Sequence, residues 1–237
     1  MASFELIKRA QDGVLTLSLN RPEKLNAIDN DLSRDLLSAL AMANSDPSVR
    51  VVVVNGNGKA FCAGRDISAA PTDEDLVLVQ AVSKAIVDLT KPVIAAVHGW
   101  TVGAGLEWML NADVVIAASS ARFKLPEASI GVFVTGDLTA TLPAYAGLAR
   151  AKALMLLGEE FSPAQAHAWG LVWHVVAPDQ LETESRRVAE LIAALRPEVV
   201  SQYKRVLNAV GVPGISRAIQ LESEAQRAIA GQPASRR

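Results

Sequence analysis

The densest run of residues that could do chemistry lies between 99 and 107. There Gly99, Gly103 and Gly105 precede Glu107 in otherwise apolar sequence. Glycine lets the backbone turn tightly and approach a ligand closely. The N–H groups that open a helix have no partner within it. A glycine turn running into a helix therefore aims donors at the place an anion or oxyanion would occupy. Glu107, one turn in, is a carboxylate whose burial is costly unless it is paired or used. Two nucleotide motifs fail on spacing. A dinucleotide fingerprint needs a third glycine at 108, where Trp108 stands, and a phosphate-binding loop needs Gly-Lys-Ser/Thr, whereas Gly58-Lys59 is followed by Ala60. Cys62, the single cysteine, leaves no internal disulfide and reads as a packed thiol rather than a nucleophile. His98, His167 and His174 lack metal-ligand spacing.

The glycine turn must be held by strands. Residues 93–97 are a short apolar run of buried-strand type, 106–110 turn helical, and 114–118 form a second apolar strand, so the unit is βαβ-like. Before it, 4–8 and 14–19 read as a hairpin around Asp12-Gly13. Asp29 or Asn30 caps a helix to about 43, and 51–54 is a β-branched buried strand. A glycine-bearing loop covers 55–66. Thr72 and Asp75 form a capping-box variant that opens a helix to about 89. After the central unit the expected elements are a short strand at 122–124, a loop at 126–127, an ambiguous helix at 135–143 and a helix at 148–157. Ser162-Pro163-Ala164-Gln165 then starts a helix that Gly170 ends, followed by a strand at 171–176. Amphipathic helices at 179–195, 197–209 and about 215–230 complete the chain, and 231–237 should fray. Strands alternate with helices to about 176 and only helices follow, which predicts an α/β core, 1–176, with a helical region, 177–237.

The composition bounds the function. The chain has 237 residues, of which 50% are hydrophobic, enough for one sizeable core. A net charge of −2 provides no electrostatic footprint for nucleic acid. No apolar run reaches the length of a membrane span, and the N-terminus lacks a signal-type apolar region. With a lone cysteine, the expectation is a cytoplasmic protein with no membrane or nucleic-acid partner.

Five segments, in this order and spacing, resemble the crotonase superfamily (the enoyl-CoA hydratase/isomerase family). They are Asn20-Arg21-Pro22-Glu23-Lys24-Leu25-Asn26-Ala27, Ala60-Phe61-Cys62-Ala63-Gly64-Arg65-Asp66-Ile67, the central unit, Leu125-Pro126-Glu127, and Ala168-Trp169-Gly170-Leu171-Val172. The resemblance covers about 4–210. It implies a spiral of ββα repeats with a helical C-terminal trimerisation region, a homotrimer or homohexamer, and an acyl-CoA substrate. It implies no metal and no cofactor beyond the coenzyme A of the thioester. By motif match, the backbone N–H groups of Arg65 and Ala104 form an oxyanion hole, and Glu107 and Glu127 occupy the positions of the two glutamates that hydratases use to add water. Lys24, Ala27, Ala63, Arg65, Asp66, Ile67, Ser68 and Ala104 line the implied CoA site. His98 would be structural, and Trp100 and Trp108 core residues or walls of the acyl pocket. The resemblance thus points to an enoyl-CoA hydratase. Alternatives are an enoyl-CoA isomerase, a CoA-thioester hydrolase or dehalogenase-like member, and a non-catalytic acyl-CoA- or RNA-binding relative.

Three features depart from the pattern. The turn after the second glutamate reads Val132-Phe133-Val134-Thr135-Gly136-Asp137, with Thr135 where a glycine N–H usually helps hold water. Asp137 adds a carboxylate, read as a helix-start aspartate or, more sharply, as a hydrolase nucleophile, although the dehalogenase-type aspartate aligns with Thr135. The final segment after Ala230 is short, so a more open substrate pocket is expected.

Overall fold

A computed structural model describes residues 5–68 and 72–230. The expected fraying tail, 231–237, and Phe4 of the first strand lie outside the described residues. Strands β1 (Leu6–Gln11) and β2 (Val14–Leu19) form an antiparallel hairpin, with Asp12 and Gly13 both at positive φ. Such a pair gives the two-residue turn that matches strand twist. Helix α1 (Asn30–Ser45) starts at Asp29, whose side chain accepts from Leu32 N–H.

Three ββα repeats follow. They are β3 (Val51–Gly56), β4 (Ala60–Cys62) and α2 (Asp73–Asp88); β5 (Val93–Val97), β6 (Trp100–Val102) and α3 (Ala104–Leu110); and β7 (Val114–Ala118), β8 (Arg122–Lys124) and the single turn α4 (Glu127–Ile130). The first strand of each repeat enters a six-stranded sheet, β1-β2-β3-β5-β7-β9, and the second enters a three-stranded sheet, β4-β6-β8. From β2 to β9 every pairing is parallel. The remaining elements are α5 (Leu138–Ala146), α6 (Leu148–Leu157), α7 (Pro163–Ala168), β9 (His174–Val176), α8 (Leu181–Ala193), α9 (Pro197–Gly211) and α10 (Ile215–Ala230). This is the expected α/β spiral with its helical C-terminal region.

Five expectations are corrected. The loop at 55–66 contains β4, and the glycine turn contains β6. Both strands have only three residues beside glycines, too few to show a period. Glu127 opens a helical turn rather than a loop. The ambiguous 135–143 helix runs from 138 to 146, displaced by the left-handed Asp137, and the last strand begins at 174 rather than 171.

The run Val51–Val54 serves two cores because strand side chains alternate between faces. Val52 and Val54 join the main core with α1, α2 and α3 residues, whereas Val51 and Val53 meet Leu181, Val188 and Ala189 of α8. Helix α9 is attached differently. Its one fully buried residue is Lys204, whose ammonium donates to Asp113 Oδ2 (2.8 Å) and the Ile86 carbonyl (2.9 Å). Burial holds this lysine's pKa down, against the pull of Asp113.

Removing one member of a buried ion pair strands the other charge, at a cost of about 3–5 kcal/mol. Lys204→Ala should therefore lower the unfolding free energy at pH 7 by that order. A loss below about 0.5 kcal/mol in urea titration, the scale of an ordinary surface change, would show that this pair does not anchor α9.

Candidate active site

The site begins with backbone contact between β4 and α3. A Cβ on Gly64 would lie 2.8 Å from the Val102 carbonyl oxygen, and one on Gly105 would lie 2.6 Å from the Cys62 carbonyl oxygen. Glycine at both positions lets the loop after β4 meet the start of α3. Neither Arg65 N–H nor Ala104 N–H has a hydrogen-bond partner among the described residues. The Ala104 nitrogen lies 3.7 Å from where a Gly64 Cβ would stand, so the two free donors belong to touching segments. Cys62 beneath them is fully buried, and burial pushes its thiol up to about 12. A neutral packed thiol follows.

Glu107 lies one turn into α3 and is 1% exposed. Its Oε1 accepts from Thr135 N–H (2.9 Å), and its Oε2 has no partner. A Cβ on Gly136 would fall 2.5 Å from both Glu107 Oε2 and Ser83 Oγ, so the glycine makes room for the carboxyl. Glu127, at the start of α4, has its Oε1 2.5 Å from where a Cβ on Gly103 would lie, while its Oε2 is buried without a partner. Gly103 directly precedes the free Ala104 N–H. Glu127 thus meets the glycine turn from α4, and the Glu107 carboxyl, on the helix which that turn opens, lies near enough for the charge of Glu127 to act on it. Burial raises Glu107 well above the usual carboxylate range, with the negative charges of Glu222 and Glu127 acting in the same direction. Burial pushes Glu127 up to about 7. Near neutral pH the pair can hold and exchange a proton.

Asp137 stands at the start of α5 but does not cap it. It is left-handed (φ 67) and fully buried, and neither carboxyl oxygen has a well-formed hydrogen bond among the described residues, although the Thr141 and Asn111 side chains lie near enough to favour its charge. The capping is done by Glu222 of α10, also fully buried, which accepts from the N–H groups of Asp137 and Thr139 (both 2.8 Å). Burial, then the nearby Glu222 charge, push Asp137 up to about 8. A neutral, enclosed acid is poorly placed to be a nucleophile.

Of the remaining candidates, Arg65, Asp66 and Ser68 share a groove, and Lys24, Ala27, Ala63 and Ile67 are not among its lining residues. A groove of about 360 Å³ is lined by Arg21, Asp29, Arg65, Asp66, Ser68 and Asp75, among others. The Arg65 side chain is paired with Asp75 (2.9 Å), in the capping box of α2, which leaves its backbone N–H as its free group. Asp66 accepts from Ser68 N–H and pairs with Arg21; the Ser68 bonds, first, hold its pKa at about 2. Ala27 is buried, Ala63 half-buried, and Lys24 and Ile67 exposed, the last at 82%. A larger cleft, of about 750 Å³, lies under α9 between Asn111, Tyr145, His167 and Tyr203, and includes none of the candidate residues.

The sequence reading missed two residues. Asn26 is fully buried and left-handed; its amide donates to the Asn57 and Ala60 carbonyls while its Oδ1 accepts from Arg21 N–H, which ties the 20–27 segment to β4. Glu222 had a visible signal: it interrupts the apolar stripe Ile215, Ala218, Ile219, Ala225 of α10.

The Asp137 burial makes stability depend on pH. Its pKa rises from about 3.9 in the unfolded chain to about 8 in the folded one. The folded state therefore binds more protons between these values, and stability falls as pH rises through that window. Asp137→Asn removes the cost of ionising there. The variant should gain stability over the parent at pH 8.5 by at least ~1 kcal/mol more than at pH 5. Equal differences at the two pH values would contradict this account of Asp137.

Comparison with known proteins agrees with the geometry. The family model for enoyl-CoA hydratase/isomerase matches residues 9–234. The chain is 34% identical to the 1,2-epoxyphenylacetyl-CoA isomerase of Escherichia coli K12, over 98% of this chain and 92% of the relative. It is 33% identical to the crotonyl-CoA hydratase of Syntrophomonas wolfei, over 95% and 89%. Among solved structures, an enoyl-CoA hydratase from Mycobacterium avium subsp. paratuberculosis K-10 superposes with a TM-score of 0.91 at 31% identity, covering 97% of this chain and 91% of that one. The match over nearly the whole chain, and relatives above 30% identity covered almost end to end, show that the chain belongs to the enoyl-CoA hydratase/isomerase family, within the crotonase superfamily.

Proposed function

We propose that the chain is a 2-enoyl-CoA hydratase. The observation that carries this reading is that Glu107 Oε2 and Glu127 Oε2 are both buried without a partner among the described residues, while Glu127 Oε1 lies against Gly103, which precedes the free Ala104 N–H. Hydration adds hydroxide to the β-carbon of the enoyl group and a proton to the α-carbon. The thioester oxygen gains negative charge on the way, and the Arg65 and Ala104 amides stabilise it; removing one such donor typically costs ~10²–10³ in rate. One carboxylate of the pair takes the proton from water while the other carboxyl delivers one to the α-carbon. Coenzyme A enters as part of the substrate, and its approach is the groove of Arg65, Asp66 and Ser68, with Lys24, Ala27, Ala63 and Ile67 as further contacts. No further cofactor has a step in this scheme.

The isomerase reading is favoured by one observation: Thr135 N–H occupies one oxygen of Glu107. A single carboxylate, Glu127, would then move the proton. Replacing each glutamate by Gln keeps size and removes proton exchange. For a hydratase, both variants should lose ~10²–10⁴ in kcat, the usual scale of a positioned acid or base, with thioester binding little changed. An isomerase would lose activity with one and keep it with the other. A hydrolase would lose CoA release in Asp137→Asn instead. A Glu107→Gln protein that hydrates crotonyl-CoA at the parental rate would refute the assignment.

The same reading includes assembly as a homotrimer or homohexamer. Helix α9 exposes Tyr203, Leu207 and Val210 at 66%, 64% and 76%, and exposed Leu191 in α8 and Leu195 just after it add further apolar surface. Apolar surface of this extent usually marks an interface. Sedimentation at micromolar concentration should show a trimer or hexamer; a stable monomer would end this part of the proposal.

A further inference from the structure

Helix α10 reaches the site from outside the ββα spiral. Glu222 and Gln226 are one turn apart, so they share a face of the helix. Gln226 Oε1 accepts the Phe133 N–H (2.7 Å). Glu222 Oε2 accepts the Asp137 N–H (2.8 Å), and its Oε1 accepts both the N–H and the hydroxyl of Thr139 (2.8 and 2.7 Å). Between these two grips lies Thr135, whose N–H donates to Glu107 Oε1. We infer that Glu222 and Gln226 are positioning residues, which hold the 133–139 turn at both ends so that the Thr135 N–H fixes the Glu107 carboxyl.

Several details support a role beyond docking α10. Among the described residues Oε1 of Glu107 has no donor but Thr135, and Oε2 has none, so the orientation of this carboxyl depends on where the turn is held. The turn passes close to the carboxyl at Gly136, where a side chain would strike Glu107 and Ser83. Hydrogen bonds to a carboxylate are the stronger kind, and Glu222 makes three of them with no exposure to water. Glu222 also places negative charge near Glu107. The other titratable groups facing Glu107 are Glu127 from α4 and Asp137 from the turn itself, and α2 contributes the neutral Ser83. The inference rests on the hydratase reading only in giving Glu107 its chemistry.

The test uses Gln226, which is half-buried and outside the core, so its replacement should not prevent folding. Gln226→Leu removes the acceptor, whereas Gln226→Glu keeps an oxygen for Phe133. In full-length protein, Gln226→Leu should lower kcat about tenfold or more, the scale of a displaced catalytic group. Its affinity for butyryl-CoA should be unchanged, amide exchange at Thr135 faster, and Gln226→Glu should restore both kcat and exchange. Glu222→Gln should move the limb of the kcat–pH profile set by Glu107 to lower pH, because a negative charge facing that carboxyl is removed. Glu107→Gln is measured in parallel. If it is inactive while Gln226→Leu keeps parental kcat, the positioning role is overturned and the hydratase reading stands. If Glu107→Gln is fully active, the hydratase reading fails, and unchanged exchange at Thr135 in Gln226→Leu would then overturn the clamp as well. A loss in Gln226→Leu that is matched by lost thioester binding, and that Gln226→Glu does not rescue, also overturns it.

Discussion

Everything at this site depends on how closely two backbone segments approach. Side chains normally keep strands and helix starts apart by the width of a Cβ and its neighbours. At Gly64 and Gly105 that width is absent, and the loop after β4 lies against the first turn of α3. The result is two N–H groups without partners in touching segments. An unpaired donor is one that an incoming acceptor can satisfy. The spiral makes this possible, since β4 and β6 are neighbours in the small parallel sheet and each ends at the site.

The same close packing excludes water from the carboxyls. Glu107 sits where its only charge-stabilising contact is one amide, and Glu127 lies beyond Gly103. In a dry environment the charged form of an acid is the expensive one, so proton affinity rises. Asp66 shows the contrast within a single chain. It faces the groove, takes hydrogen bonds from Ser68 and the guanidinium of Arg21, and stays ionised far below neutral pH. Acids of similar intrinsic strength are thus sorted by surroundings into an anion at the groove and, inside, carboxyls whose proton affinity is raised.

Much of this was legible in the residues. The repeat strands β3, β5 and β7 are continuous apolar runs, and the caps at Asp29, Thr72 and Ser162 stand where the helices start. Glu107 was marked by being a carboxylate in apolar sequence. The small sheet was not legible, because three-residue strands between glycines carry no period and exist only through pairing with segments some forty and twenty residues distant. Asn26 was hidden for a related reason: its left-handed backbone and three side-chain bonds are properties of a tertiary junction. The 132–137 turn was noticed as atypical, yet its conformation could not be read, since the residues that fix it are 83 to 93 positions later.

That separation in sequence has a physical consequence. Glu222 caps α5 in place of Asp137, and this leaves Asp137 without solvent and with only the weakly placed Thr141 and Asn111 side chains to favour its charge. An aspartate at a helix start is ordinarily an anion satisfied by that helix's own N–H groups. Here a carboxylate from another helix has taken them, and the local aspartate is driven toward its neutral form by burial and by its competitor's charge. The local rule for a helix start is broken at Asp137 because the tertiary contact from α10 satisfies it better. The broken rule lies one residue from Gly136, which gives Glu107 its room, so the anomaly in the sequence and the reactive carboxyl belong to one packing problem. Helix α10 is consequently part of the site's electrostatics as well as of its walls: it brings the charge that shifts both Asp137 and Glu107, and it holds the turn that lies between them.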